Sequence, residues 1–300
     1  MLKLFLSFFC KYIIFSKCIM DIVNLKFNNK IKMCIPSIET NDNIHGGNVQ
    51  DSIRKTGLWS SEETSIFVDL LNNNSSNDNV NIIDIGSNTG YFSIIGLSYN
   101  CNVIAIEANK IYRKYIESSL EQNNFDKSKF TYYENFASNK KTNIVFDGWS
   151  GNPGIMNYNE QHIVTPVSVD DVCNNKNILL MKVDVEGAEP EVFESSKKMI
   201  ENNKIDYIIF ELTYIIKNSL IKEQIDMLPF LKFNGYDLYE IGDKELVFFS
   251  NNIKERVNFW VKEYKTNHLV QNPKLKDLSA GTNILAVKKN KYVPNCRLFC

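Results

Sequence analysis

The sequence predicts a doubly wound α/β domain over residues 46–290. Two observations carry this expectation. Apolar runs without polar alternation, bounded by turn-forming residues, recur along the chain and read as buried strands. Most are separated by stretches with helical spacing, which implies a mostly parallel sheet covered on both faces. A chain of 300 residues, 44% of them hydrophobic, is long enough for one large core of this kind plus extensions.

The elements follow in order. GLWSSEETSIFVDLL (57–71) reads as a helix, with Ser60 or Ser61 as N-cap and Glu62 and Glu63 in the first turn. Ile66, Phe67, Leu70 and Leu71 form its apolar stripe. The Asn-rich NNNSSNDN (72–79) is a loop. NIIDI (81–85) is a buried strand, YFSIIGLSY (91–99) a helix, and NVIAIEA (102–108) a second strand. KIYRKYIESSLEQNN (110–124) is a second helix and KFTYYENFA (129–137) a third strand. KTNIVFDG (141–148) and HIVTPVSVDDV (162–172) read as short strands around an irregular Gly- and Asn-rich segment. Trp149 in that segment belongs to a lid or to a plain surface loop. NILLMKVDV (177–185) is a strong buried strand. PEVFESSKKMIENN (190–203) is a helix, with Pro190 suited to its first turn. IDYIIFELTY (205–214) is a strand and SLIKEQIDMLPFLKFNG (219–235) mostly a helix. YDLYEIG, ELVFF and TNILAVKK supply the last strands. They lack helical spacers, so an antiparallel strand is expected near the C-terminal edge.

The ends are less regular. Residues 1–45 read as an N-terminal extension and residues 291–300 as a tail. Residues 21–50 show little periodicity. MLKLFLSFFCKYIIFSKCIM is apolar, but Lys3, Lys11 and Lys17 interrupt it. A lysine in mid-membrane costs roughly 2.5–3.5 kcal/mol. The uninterrupted apolar stretches are far short of the ~20 residues a span needs. On a helix the three lysines gather on one side and Phe5, Phe8, Phe9, Tyr12 and Ile19 on the other. A surface-lying amphipathic helix in contact with a membrane is one reading of residues 1–20. A helix packed on its own domain, or a poorly ordered extension, is the other. A cytoplasmic location is expected, membrane-associated on the first reading.

Lys plus Arg is 34 and Asp plus Glu 35, a balance that argues against a nucleic-acid partner. Seven cysteines, an odd number without zinc or disulfide spacing, point to reduced thiols, and no metal is expected at them.

The sharpest local signal is DIGSNTG (84–90) at the end of the first buried strand. In doubly wound sheets, ligands bind beyond the carboxyl ends of strands where strand order reverses. Gly86 and Gly90 permit a sharp turn and close approach of backbone to a ligand. The dinucleotide pattern G-x-G-x-x-G lacks its middle glycine here, and Asp84 would repel a pyrophosphate. An acidic group there suits a cationic ligand such as S-adenosylmethionine. Glu107, 21 positions after Gly86, stands where a carboxylate can accept hydrogen bonds from ribose hydroxyls.

With KVDVEGAEPEVF (182–193), the stretches DIGSNTGYFS and AIEAN resemble the FkbM-type S-adenosylmethionine-dependent methyltransferases. The resemblance covers about residues 50–287. In it, Ser87 replaces the family's usual alanine beside Asn88, and VSVDDV stands where the family has L-D-D. It implies a Rossmann-like class I methyltransferase sheet. It also implies an adenine contact near Phe136 and Ala137, and an acidic residue on the fifth strand at Glu211. The activity implied is methyl transfer from S-adenosylmethionine, often to a hydroxyl of a sugar or small metabolite. Methylation of RNA or protein, and a non-catalytic binding module on the same fold, are the alternatives. Asp184 or Glu186, with Glu189 and Glu211 bordering the same cleft, is the candidate base or acceptor-binding group. Crowding of carboxylates raises their pKa values, which suits that role. Glu186 and Glu189 have a second reading, as charges favouring the start of the next helix.

Overall fold

The computed structural model describes residues 20–37, 48–74, 79–146, 162–216, 219–266 and 280–299. The readings of residues 1–19 and of the Trp149 segment lie outside these. Strands β1 (Met20–Leu25) and β2 (Asn28–Pro36) come first, then helices α1 (Asn48–Thr56) and α2 (Ser61–Asn73). There follow β3 (Asn81–Ile85), α3 (Tyr91–Ser98), β4 (Asn102–Ile106), α4 (Arg113–Gln122) and β5 (Phe130–Tyr133). Four short strands, β6 (Phe136–Ala137), β7 (Ile144–Phe146), β8 (His162–Val164) and β9 (Pro166–Val167), lead to α5 (Val169–Cys173). The chain continues through β10 (Ile178–Val183), α6 (Glu189–Ser195), α7 (Lys197–Glu201), β11 (Ile205–Ile216), β12 (Ser219–Leu220) and α8 (Lys222–Phe233). It closes with β13 (Tyr236–Gly242), β14 (Glu245–Phe248), α9 (Ile253–Tyr264) and β15 (Ala280–Lys288).

The main sheet has the order β14-β13-β15-β11-β10-β3-β4-β5, with β12 beside β11. From β5 to β11 every neighbouring pair is parallel. β15 inserts antiparallel between β11 and β13, and β14 folds back on β13. The chain therefore winds outward from β3 to β5, then returns to β10 on the other side of β3. That reversal opens a crevice above the carboxyl ends of β3 and β10.

Alternation along the strands builds two cores. Ile83 and Ile85 of β3, Met181 and Val183 of β10, and Ile208 and Phe210 of β11 face one side, packing with α5 to α9. Ile82, Leu180, Tyr207 and Ile209 face the other, packing with α2 and α3. α3 sits close on the sheet because Gly96 has no side chain; a Cβ there would lie 2.1 Å from Ile82 Cδ1.

Several elements differ from expectation. Residues 20–36, read as irregular, form an antiparallel hairpin whose Leu25, Met33 and Ile35 are fully buried. Ile31, Met33 and Ile35 alternate with Lys30, Lys32 and Cys34 on β2, a period-two signal that the surrounding Lys and Asn positions obscure. The hairpin is tied to α4 through Cys34 N–H donating to Ser119 Oγ at 2.8 Å, and to α1 through the Arg54–Asp21 pair at 2.7 Å. A boundary at residue 46 thus leaves part of the core outside. The tail also docks: Tyr292 Oη and Asn295 N–H both donate to Asp69 Oδ2 at 2.8 Å, and Phe299 N–H donates to Ser65 Oγ at 3.1 Å. The third strand breaks at Glu134 and Asn135, and its second part pairs with β9 instead of the sheet. VDDVC is a helical turn and not a strand. Among the described residues, no helix is long and apolar enough to cross a membrane.

Candidate active site at the reversal of strand order

A cavity of about 480 Å³ lies over the carboxyl ends of β3, β4, β10 and β11. The ends of β3, β4 and β10 bring Asp84, Glu107 and Asp184 to it, and β11 brings Glu211 from mid-strand, just past the stretch that pairs with β10. The strand ends are held together by backbone bonds. Gly86 N–H donates to Ile106 O at 2.8 Å, and Asp184 N–H to Ile85 O at 2.9 Å. Gly86 has φ +77°, and a Cβ on it would lie 1.8 Å from Asp184 O. Only glycine allows this closure of β3 on β10.

The loop after β3 is organised by carboxylates. Glu107 is 9% exposed; its Oε2 accepts from Asn88 N–H and its Oε1 from Asn109 N–H, both at 2.8 Å. Asn88 is left-handed (φ 51°), and its Oδ1 accepts from Thr89 N–H and from Gln50 Nε2, both at 2.7 Å. Asp84 is 2% exposed, and its Oδ2 accepts from Ser93 N–H at 2.9 Å and from Ser93 Oγ at 2.6 Å. Asp84 therefore anchors the first turn of α3 as well as bordering the cavity, a role the sequence reading missed. Burial, against the opposing bonds from Ser93, pushes the Asp84 carboxyl up to about 6. Burial likewise pushes Glu107 up to about 7, against its two backbone bonds. The hydroxyls of Ser87 and Thr89 are buried without a hydrogen-bond partner. Phe136 and Ala137 line the same side of the cavity, after β5.

The opposite side carries the second acidic group. β10 ends at Val183, so Asp184 and Glu186 stand in a turn and not on a shared strand face. Lys182 and Asp184 are the pair that meets: Lys182 Nζ lies 3.4 Å from Asp184 Oδ2 and 3.3 Å from Glu63 Oε1 of α2. Lys182 and Glu63 are both almost fully buried. Burial works against the lysine's charge, but Glu63 and Asp184 more than offset it, so its pKa is raised. Glu186 is left-handed (φ 54°) and exposed at the cavity mouth. Desolvation, then Asp184 and Glu189, push it up to about 7, a shift that solvent at the mouth screens in part. Glu211 is pushed to about 8 by burial first and by the charges of Asp184, Glu186 and Glu189 next. Two carboxyls near neutrality beside an open cavity are able to take a proton from a hydroxyl.

Glu189 stands apart from this cavity. Its buried carboxylate accepts from Val185 N–H at 3.2 Å, Gly187 N–H at 3.3 Å and Gln224 Nε2 at 2.7 Å. It clamps the turn that carries Glu186. Gly90 turns the chain into α3 with φ +86°. All eleven expected site residues are in this region: ten line the cavity directly, and Gly90 closes its loop. Sequence reasoning missed Glu63, Trp59 and the β15 edge at Gly281, Thr282 and Asn283, which complete the walls. The buried Lys182 in an otherwise apolar strand was the available signal that a buried acid such as Glu63 must face it. Among the described residues, no three His, Cys, Asp or Glu side chains are grouped as a metal site requires.

Residues 84–238 match the methyltransferase FkbM domain family. Among solved structures, the chain is similar to methyltransferase FkbM from Methylobacillus flagellatus KT, with 16% identity and a TM-score of 0.42. That alignment covers 55% of this chain and only 40% of the other. It is also similar to precorrin-6y C5,15-methyltransferase from Geobacter metallireducens GS-15, at 12% identity, TM-score 0.36, covering 75% of this chain and 85% of that one. A third is M. capricolum TrmK in complex with S-adenosyl-homocysteine, at 13% identity and TM-score 0.33, covering 74% and 68%. No curated protein sequence gives a significant match.

Proposed function

Because the chain belongs to the FkbM methyltransferase family, we propose that it uses S-adenosylmethionine to methylate a hydroxyl of a sugar or small metabolite. The observation that carries this reading is the cavity at the strand-order reversal, with one acidic residue from each of four neighbouring strands or the turn just after it. S-adenosylmethionine supplies a methyl group already activated by a positively charged sulfur. The residues present fit such a cofactor. Each Glu107 oxygen is fixed by a backbone N–H and keeps a lone pair for a ribose hydroxyl. The unpartnered hydroxyls of Ser87 and Thr89 leave the loop with polar capacity to satisfy. Phe136 and Ala137 offer a wall for a flat base. Asp84 places negative charge at the centre of the loop, which disfavours a pyrophosphate and favours a cation.

The chain's own contribution to transfer is positioning and proton removal. The side chains of Glu211 and Glu186 lie at the cavity with no hydrogen-bond partner among the described residues, and both carboxyls are poised near neutral pH. Either is suited to accept the hydroxyl proton. Asp184, paired with Lys182, is suited to orient the acceptor.

The test is calorimetric titration of the full chain with S-adenosylmethionine, S-adenosylhomocysteine and NAD. Binding of the two S-adenosyl compounds without NAD is expected. Absence of S-adenosyl binding would leave a methyltransferase fold serving as a binding module.

A further inference from the structure

On the reading that this cavity is a methyltransferase site, we infer that its acceptor is a hydroxyl compound carrying an amine. The part that enters the cavity bears no phosphate or carboxylate.

The inference rests on which polar groups remain free beside β10, β11 and β15. The cation and the paired backbone amides in this half of the cavity are already committed, and the Asn283 carboxamide on β15 is a neutral donor with no charge to hold an anion. Val185 N–H and Gly187 N–H both donate to Glu189 Oε1, so the turn after β10 has no amide pair to offer an anion. Lys182, the single cation among the described residues lining the cavity, is held between Glu63 and Asp184. Thr282 Oγ1 donates to Glu240 Oε1 at 3.0 Å. The uncommitted charged groups are acceptors. The side-chain carboxyls of Glu186 and Glu211 make no hydrogen bond to any described residue. Glu211 lies against the β15 backbone at Gly281, where a Cβ would come within 3.0 Å of its Oε1, so a side chain there would crowd this carboxylate.

A phosphate or carboxylate needs a free guanidinium, ammonium or run of backbone N–H groups. This half of the cavity supplies none, and its nearest groups would repel the anion. A protonated amine is the complement: it brings three donors and a positive charge to carboxylates that lack both. Burial and mutual repulsion hold the Glu211 and Glu186 carboxyls high, and a cation between them would relieve that repulsion.

The experiment is calorimetry at pH 7 with four probes of one shape: glucosamine, glucose, glucuronate and glucose 6-phosphate. Each is titrated into the full chain with and without saturating S-adenosylhomocysteine. Glucosamine is expected to bind about ten-fold or more tightly than glucose, with glucuronate and glucose 6-phosphate weakest. Glu211→Gln is expected to erase the preference for the amine while leaving S-adenosylhomocysteine affinity unchanged. Equal binding of glucosamine and glucose, stronger binding of either anionic probe, or no binding by any of the four overturns the inference. Failure of S-adenosylhomocysteine to bind overturns instead the methyltransferase reading beneath it. Binding of that compound with a flat sugar series overturns the acceptor class alone.

Discussion

Replacing Gly86 with alanine tests whether the floor of the cavity is set by contact between β3 and β10. The added Cβ would lie 1.8 Å from Asp184 O and 2.8 Å from Asp184 C, while ordinary contact begins near 3.4 Å. The two strand ends must then separate by the difference between 3.4 and 1.8, or 1.6 Å. The obstacle is backbone, so no side-chain rotation relieves it. The separation breaks the bond from Asp184 N–H to Ile85 O. Such a bond is worth about 1 kcal/mol. The left-handed backbone at φ +77° adds about 1–2 kcal/mol for a residue with a Cβ. The total is about 2–3 kcal/mol, or roughly 4–12 °C in melting temperature for a domain of this size. Gly187→Ala is the control. Its φ is +104°, and nothing lies within 4 Å of the added Cβ, so it carries backbone strain without a clash. Thermal unfolding and S-adenosylhomocysteine titration of both variants provide the assay. Gly86→Ala should melt well below Gly187→Ala and lose ligand binding. Equal melting of the two variants would refute the argument that strand closure, and not the turn alone, demands this glycine.

Three further outcomes follow from the same site. Lys182→Met leaves Glu63 buried without its cation and should destabilise by about 3–5 kcal/mol, whereas the Lys182→Met, Glu63→Leu double variant should recover most of it; urea midpoints that show no recovery would contradict the pairing. Asp84 and Glu107 have folded pKa values of about 6 and about 7, above their ordinary 3.8 and 4.5, so the folded state binds these protons more tightly. Their contribution to stability is therefore present below the ordinary values and is lost as pH rises to about 7, by on the order of 3 kcal/mol per group; urea unfolding at pH 5 and pH 7.5 checks the direction, and a rise in stability across that window would be the opposite sign. Glu107→Gln should weaken S-adenosylhomocysteine by about ten-fold or more through loss of a carboxylate acceptor, with far-UV circular dichroism unchanged; unaltered affinity would remove Glu107 from the cofactor side.

The parallel half of the sheet was legible because its strands carry their signal locally. NIIDI and NILLMKV are buried on both faces, so apolar content alone marks them. The carboxyl-end acids were legible because each follows such a run. The β1–β2 hairpin was not: Ile31, Met33 and Ile35 do alternate with Lys30, Lys32 and Cys34, but the Lys and Asn positions around them read as loop. Glu63 was read only as a favourable charge in a helix's first turn; its partner Lys182 lies more than a hundred positions away, and the signal of the pairing sits at the lysine in its apolar strand and not beside Glu63. Asp84 was read as facing a ligand, while half of its task is the α3 amide nine positions on. The split of 190–203 into α6 and α7 turns on Ser196, whose hydroxyl bonds back to Val192 O and competes with the helical ladder.

The docking of residues 292–299 onto α2 bears on the order in which the molecule is made. Asp69 waits for Tyr292 and Asn295, and Ser65 for Phe299, across separations of 223 to 234 positions. Contacts so remote along the chain close late, after the loop entropy between them has been met. α2 also carries Glu63, the partner of Lys182. A nascent chain can thus assemble β3, β4, β10 and β11 while the helix that neutralises Lys182 is still loosely held. The complete cavity would then appear only after residues 292–299 have left the ribosome, later than the sheet that bears its carboxylates.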